Sequence, residues 1–209
     1  MPAWLGLLVG VALFAGADEA HVLRVPYRNQ LDGSPYAAAN CGPAALSMLL
    51  AYYGIDATPG DLRVRSMQAQ HSWVDDEGGY SDRYGVFVYN LATVGETYGL
   101  HANGLWQREG SRIDRLHEWP AADLRSQIRL GRPVLVEVRY RLLPRHSGSN
   151  APDDHYIVVH GIVGDDFVYS DPLGRDGVGP DEVISEGDLL LAMSRADVPR
   201  VGFALVRPG

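Results

Sequence analysis

Asn40-Cys41-Gly42-Pro43-Ala44-Ala45-Leu46-Ser47-Met48-Leu49-Leu50-Ala51-Tyr52-Tyr53-Gly54 holds the only cysteine of the 209-residue chain, set where a helix should begin. Pro43 suits a first helical turn, because the N–H it lacks would have no partner there anyway. Ala44, Ala45, Leu46, Met48, Leu49 and Leu50 are good helix formers. Leu46, Leu49, Leu50 and Tyr53 recur at i, i+3, i+4 and i+7, which predicts one buried face. Gly54 accepts the left-handed conformation that ends many helices. Cys41 is thus expected at the N-terminus of a core helix, where free N–H groups and the helix dipole favour a thiolate. A lone cysteine is more often a small buried hydrophobe, so a nucleophile needs further support from the rest of the chain.

That support lies upstream and far downstream. Gln30 stands in the loop-like stretch Val25-Pro26-Tyr27-Arg28-Asn29-Gln30, and His155 and Asp171 stand in Asp154-His155-Tyr156-Ile157-Val158-Val159-His160-Gly161 and Tyr169-Ser170-Asp171-Pro172. An early cysteine with a late histidine and carboxylate is the chain order of a papain-type thiol site. Tyr156–Val163 and Phe167–Ser170 read as a hairpin around Gly164-Asp165-Asp166. His155 would begin its first strand and Asp171 end its second, so antiparallel pairing puts both at one end of a sheet. Asp171 could then orient the imidazole while the other ring nitrogen faces Cys41. A strand-end histidine and an Asp-Pro turn are the plainer alternatives.

The remaining elements follow in order. His21–Val25 reads as a strand, Thr58-Pro59-Gly60-Asp61 as the start of a helix to about Gln70, and Tyr84–Tyr98 as a helix closed by Gly99. Leu100–Trp106 reads as a short strand, Pro120–Leu130 as a helix, and Pro133–Val138 as a central strand. Ser185 caps a helix to about Arg195, and Val201–Val206 closes the sheet. His71–Asp82 is a polar, turn-rich candidate rim loop. Arg139–Asp154 is a long connection that delivers His155. The whole predicts one α+β domain over residues 22–206.

A net charge of −8 argues against nucleic acid as partner, and all basic residues are arginine. Residues 1–17 carry an uncharged apolar run from Trp4 to Ala15 and a small-x-small site, Ala15-Gly16-Ala17, which reads as a signal peptide. An uncleaved N-terminal anchor, or the apolar first segment of an intracellular protein, is the alternative. The first two imply a secreted or cell-surface protein that meets a membrane only through this segment. A single cysteine forms no internal disulfide. His71, His101, His117 and His146 lack ligand spacing, and His160 faces away from His155 on an ideal strand. No metal or cofactor is expected. Trp73, Tyr80, Tyr84 and Trp106 could line a peptide cleft or fill a core. Oligomeric state is not readable from the residues.

The four motifs Val25–Gln30, Asn40–Leu46, His155–Gly161 and Val168–Pro172 together resemble the peptidase domain that processes double-glycine leaders of bacteriocins, and more nearly its stand-alone bacterial relatives. The resemblance implies a papain-like fold, with N-terminal helices packed on a C-terminal antiparallel sheet. It also implies a Cys41 nucleophile, a His155 base, an orienting Asp171 and a Gln30 oxyanion donor beside the Cys41 N–H. The implied activity is cysteine-type hydrolysis of a peptide or protein substrate. Residue 40 is Asn where transporter-linked members commonly carry Asp, and ten residues separate Gln30 from Cys41, a longer loop than theirs. A cell-wall peptide amidase or acyltransferase on the same fold, or a binding domain that kept the scaffold, are the alternatives.

Overall fold

The computed structural model describes residues 20–70, 85–109, 112–147, 149, 154–174 and 178–209. The expected signal segment at 1–17 and the rim loop at 71–82, with Trp73 and Tyr80, lie outside the described residues, as does Tyr84.

Helix α1 spans Cys41–Tyr52. Gly54 ends it at φ +80°, with its N–H on the Ala51 carbonyl and the Ile55 N–H on that of Leu50. The expected single buried stripe is too narrow. Every residue from Cys41 to Leu50 is buried, so the helix is covered all round. Ser47 sits inside because its hydroxyl donates to the Ala57 carbonyl at 2.6 Å. Helix α2, Pro59–Gln70, starts as its sequence predicts: Thr58 Oγ1 accepts the Asp61 N–H and donates to the Asp61 carboxylate. Helix α3 is Val88–Glu96, shorter than expected.

Strands β1 (His21–Val22), β2 (His101–Asn103), β5 (Val134–Arg139), β6 (Asp154–Val163), β7 (Asp166–Ser170), β8 (Glu182–Ile184) and β9 (Gly202–Val206) form one sheet. Its order is β2-β9-β5-β6-β7-β8, with β1 also on β6, and every described pairing is antiparallel. A separate hairpin, β3 (Trp106–Glu109) with β4 (Arg112–Leu116), occupies a stretch whose polar sequence predicts only the end of a strand.

Alternation along β5, β6 and β9 divides the interior in two. Leu135, Tyr156, Val158, Phe203 and Leu205 meet α1, α2 and α3. Val134, Val136, Val138, Ile157, Val159 and Ala204 meet α4 (Ala121–Arg129) and α5 (Glu186–Ser194). Both faces of the sheet are therefore covered, which is why β5 reads as an almost unbroken apolar run. The three early helices do pack on the late antiparallel sheet, and the later two close its other face. Among the described residues no helix is long and apolar enough to cross a membrane.

Candidate active site

The sulfur sits at the first residue of α1, where Cys41 keeps 9% exposure beneath the surface. The N–H groups of the first turn have no intrahelical acceptor, and Pro43 has none to offer. Gly42 lets this turn approach the sheet. A Cβ there would lie 2.8 Å from Leu91 Cδ1 and 3.1 Å from the Tyr156 ring.

The hairpin β6–β7 sets the other two groups. Val158 pairs with Ser170, so Asp171 leaves β7 beside the start of β6, where His155 stands. His155 Nε2 and Asp171 Oδ1 are 2.6 Å apart, and Cys41 lies near enough to the ring to act on its charge. A carboxylate only accepts, so Nε2 carries the proton toward Asp171 and Nδ1 is the nitrogen left for sulfur. Burial alone would lower the His155 pKa. The Asp171 charge and hydrogen bond, with Cys41, instead push it up to about 10. Burial works against the Asp171 charge too, but His155 and the hydrogen bonds from His146 and the Leu173 N–H hold its carboxyl well below the usual range.

Asp171 is held by its backbone as well. Its N–H donates to the Gly179 carbonyl at 2.7 Å, and its own carbonyl accepts from Tyr27 Oη at 3.0 Å. Tyr27 Oη in turn accepts the Gly174 N–H. A Cβ at Gly174 or Gly179 would collide with that hydroxyl. The Gln30 N–H on the Pro172 carbonyl, 2.8 Å, ties the segment before Cys41 to the Asp171 turn.

Gln30 is buried, and its Nε2 donates to the Ala37 carbonyl at 3.0 Å in the 3-10 turn Ala37–Ala39 that leads into Cys41. The same Nε2 meets the Ala38 carbonyl at 3.4 Å, so both amide hydrogens are turned to this segment. Asn40 is fully buried, its Nδ2 on Ser34 Oγ.

The other sequence candidates disperse. His160 is a core histidine at a bulge, bonded to the Leu23 carbonyl and Ser170 Oγ, with its pKa lowered by burial. His101 pairs with Glu96, and His117 with Asp123. Trp106 is exposed. Asp154 opens β6, pairs with Arg139 at 3.2 Å and accepts the Asp197 N–H. His146, which lacks ligand spacing in the sequence, places its Nε2 2.9 Å from Asp171 Oδ2.

A helix-borne cysteine facing a histidine on an antiparallel sheet defines a papain-like scaffold. The chain belongs to the Peptidase_C39-like family, whose model matches residues 22–185. Among solved structures it is similar to a candidate C39-like peptidase from Bacillus anthracis, at 19% identity and a TM-score of 0.60, covering 92% of this chain and all of that one. It is also similar to the peptidase domain of Streptococcus ComA, a bifunctional ABC transporter of a quorum-sensing pathway. That match has 16% identity and a TM-score of 0.55, covering 90% of this chain and 99% of the other. At these identities the two structures speak for the fold. A search of curated proteins returned no match.

Proposed function

We propose that the chain is a cysteine peptidase that hydrolyses peptide bonds through Cys41, His155 and Asp171. The observation that carries the reading is the 2.6 Å link from the His155 imidazole to the Asp171 carboxylate beside Cys41, which opens a buried helix. Family membership supports the peptidase class.

In this reading His155 Nδ1 takes the thiol proton, and the Asp171 charge stabilises the imidazolium that results. The thiolate attacks the carbonyl carbon and forms a tetrahedral oxyanion. The Cys41 N–H receives that oxyanion, joined by Gln30 Nε2 when it turns from the Ala37–Ala39 carbonyls toward the substrate. The imidazolium then protonates the leaving amine. Water, deprotonated by the same ring, releases the acyl group and restores the thiol.

Cys41→Ala, expected to fold normally, should abolish hydrolysis of a peptide library and labelling by a peptidyl acyloxymethyl ketone, read by mass spectrometry. Hydrolysis persisting in that variant at the wild-type rate would sink the assignment.

A further inference from the structure

Asp171 carries two imidazoles, and only one of them faces the sulfur. Oδ1 accepts from His155 Nε2 at 2.6 Å and from the Leu173 N–H at 2.8 Å, while Oδ2 meets His146 Nε2 at 2.9 Å. The carboxylate is 1% exposed, so water does not substitute for these donors. Because Asp171 is held ionised, it can only accept, and the nitrogen His146 turns to it carries hydrogen.

The second imidazole is also fixed in place. The His146 ring stacks on Tyr140, with centroids 4.2 Å apart and 22° between planes. The same Tyr140 meets His155 edge-on at 5.0 Å. The His146 N–H donates to the Leu143 carbonyl, and its own carbonyl accepts from Ser149. The two rings thus share a carboxylate and an aromatic spacer.

We propose that His146 is a positioning residue for the Cys41–His155 pair, acting through Asp171; this rests on the peptidase reading above. A carboxylate bonded at one oxygen can swing about its side-chain torsions. Bonded at both, it keeps Oδ1 aimed at His155 Nε2. The proton on His155 is then held by a fixed charge, which favours the thiolate–imidazolium form at the sulfur. Among the described residues, the other titratable or charged groups around this cluster are Tyr27 from the N-terminal segment, Tyr140 from the turn after β5, Tyr169 on β7, and the Arg145–Glu182 pair at 2.9 Å.

The test uses the one cysteine. Iodoacetamide alkylation of the full chain, followed by whole-protein mass, reads Cys41 alone, and its rate against pH reports thiolate held by imidazolium. His146→Phe keeps a ring on Tyr140 without the N–H, and His146→Gln keeps an N–H donor without the ring. The Phe variant should shift the upper limb of the rate–pH profile, where the imidazolium gives up its proton, down by about one unit, a tenfold change in that equilibrium. The Gln variant should stay within about twofold of wild type, since the donor is retained. His146→Ala, checked for folding by circular dichroism, replaces Phe if that variant does not fold. A donor-less variant with the wild-type profile overturns the proposal, as does a Gln variant as impaired as Phe. His155→Ala separates the two readings: if it too keeps the wild-type profile, the Cys41–His155 pairing itself fails. If it loses reactivity while Phe does not, only the role of His146 fails.

Discussion

At the scale of single residues, the site is an argument about where one negative charge sits. Asp171 has almost no contact with water, yet it stays ionised because His155, His146 and the Leu173 N–H all donate to it. The same charge offsets the burial that would otherwise strip the proton from His155. Asp171→Asn keeps the shape and removes the charge, and its amide offers a donor where the ring needs an acceptor. Peptide hydrolysis should fall by as much as about 10⁴-fold, the scale for the acid of such a triad. The His155 imidazolium pKa, followed by nitrogen NMR, should drop from its raised value toward or below that of a free histidine. An unmoved titration would mean that the carboxylate does not govern the ring. Cys41, His155 and Asp171 were open to proposal as a group because an early cysteine with a late histidine and carboxylate is a recognisable order. His146 was not, because its meeting with Asp171 depends on the path of the chain after β5.

Among the elements, α1 matters most, since it carries the sulfur and touches the sheet at its first turn. The Asn-Cys-Gly-Pro start reads as a helix opening, but the need for glycine is tertiary: Leu91 of α3 and Tyr156 of β6 leave no room for a Cβ. Gly42→Ala is expected to cost about 1–3 kcal/mol of stability through overpacking. It should also lower hydrolysis by displacing Cys41 from His155. Urea unfolding and turnover measured side by side check this, and an unchanged midpoint would show that the contact relaxes freely. Helices α1 and α2 were readable from caps and propensity, and the β6–β7 hairpin from its β-branched runs around Gly164. Strands β3, β4 and β8 were not, because short polar strands carry little period-2 signal. The all-round burial of α1 was hidden too: a serine on a helix reads as surface until a carbonyl from elsewhere bonds it.

For the molecule as a whole, buried ionisable groups set how stability should depend on pH. Glu137 lies inside β5, where burial, then the neighbouring Asp154, push its pKa up to about 8; the Tyr156 hydroxyl donates to it at 3.2 Å. Its folded pKa is raised, so the native state binds the proton more tightly than the unfolded chain. Stability from this group is present below about pH 4.5 and lost as pH rises to about 8. His155 acts in the same direction, from 6.5 to about 10. Asp171 is depressed, so its contribution is present above 3.8 and lost as pH falls below it. The maximum should therefore lie near pH 4–5, with a decline above it of up to about 1.4 kcal/mol per pH unit for each titrating group. Urea midpoints from pH 4 to 9 measure the curve. Glu137→Gln should flatten it between pH 5 and 6.5, and parallel curves would remove Glu137 from the account.

By itself the sequence determined that a cysteine opens an apolar helix, that a histidine and an aspartate bracket a hairpin, and that helices precede a sheet. These rest on local periodicity, capping and turn chemistry, which a chain carries within a few neighbouring residues. Only the tertiary structure decided that the sheet is covered on both faces, that β1 joins β6, and that Asp171 is shared between two imidazoles. Those depend on strand register and on contacts between residues more than twenty positions apart, and no local preference encodes where such contacts form.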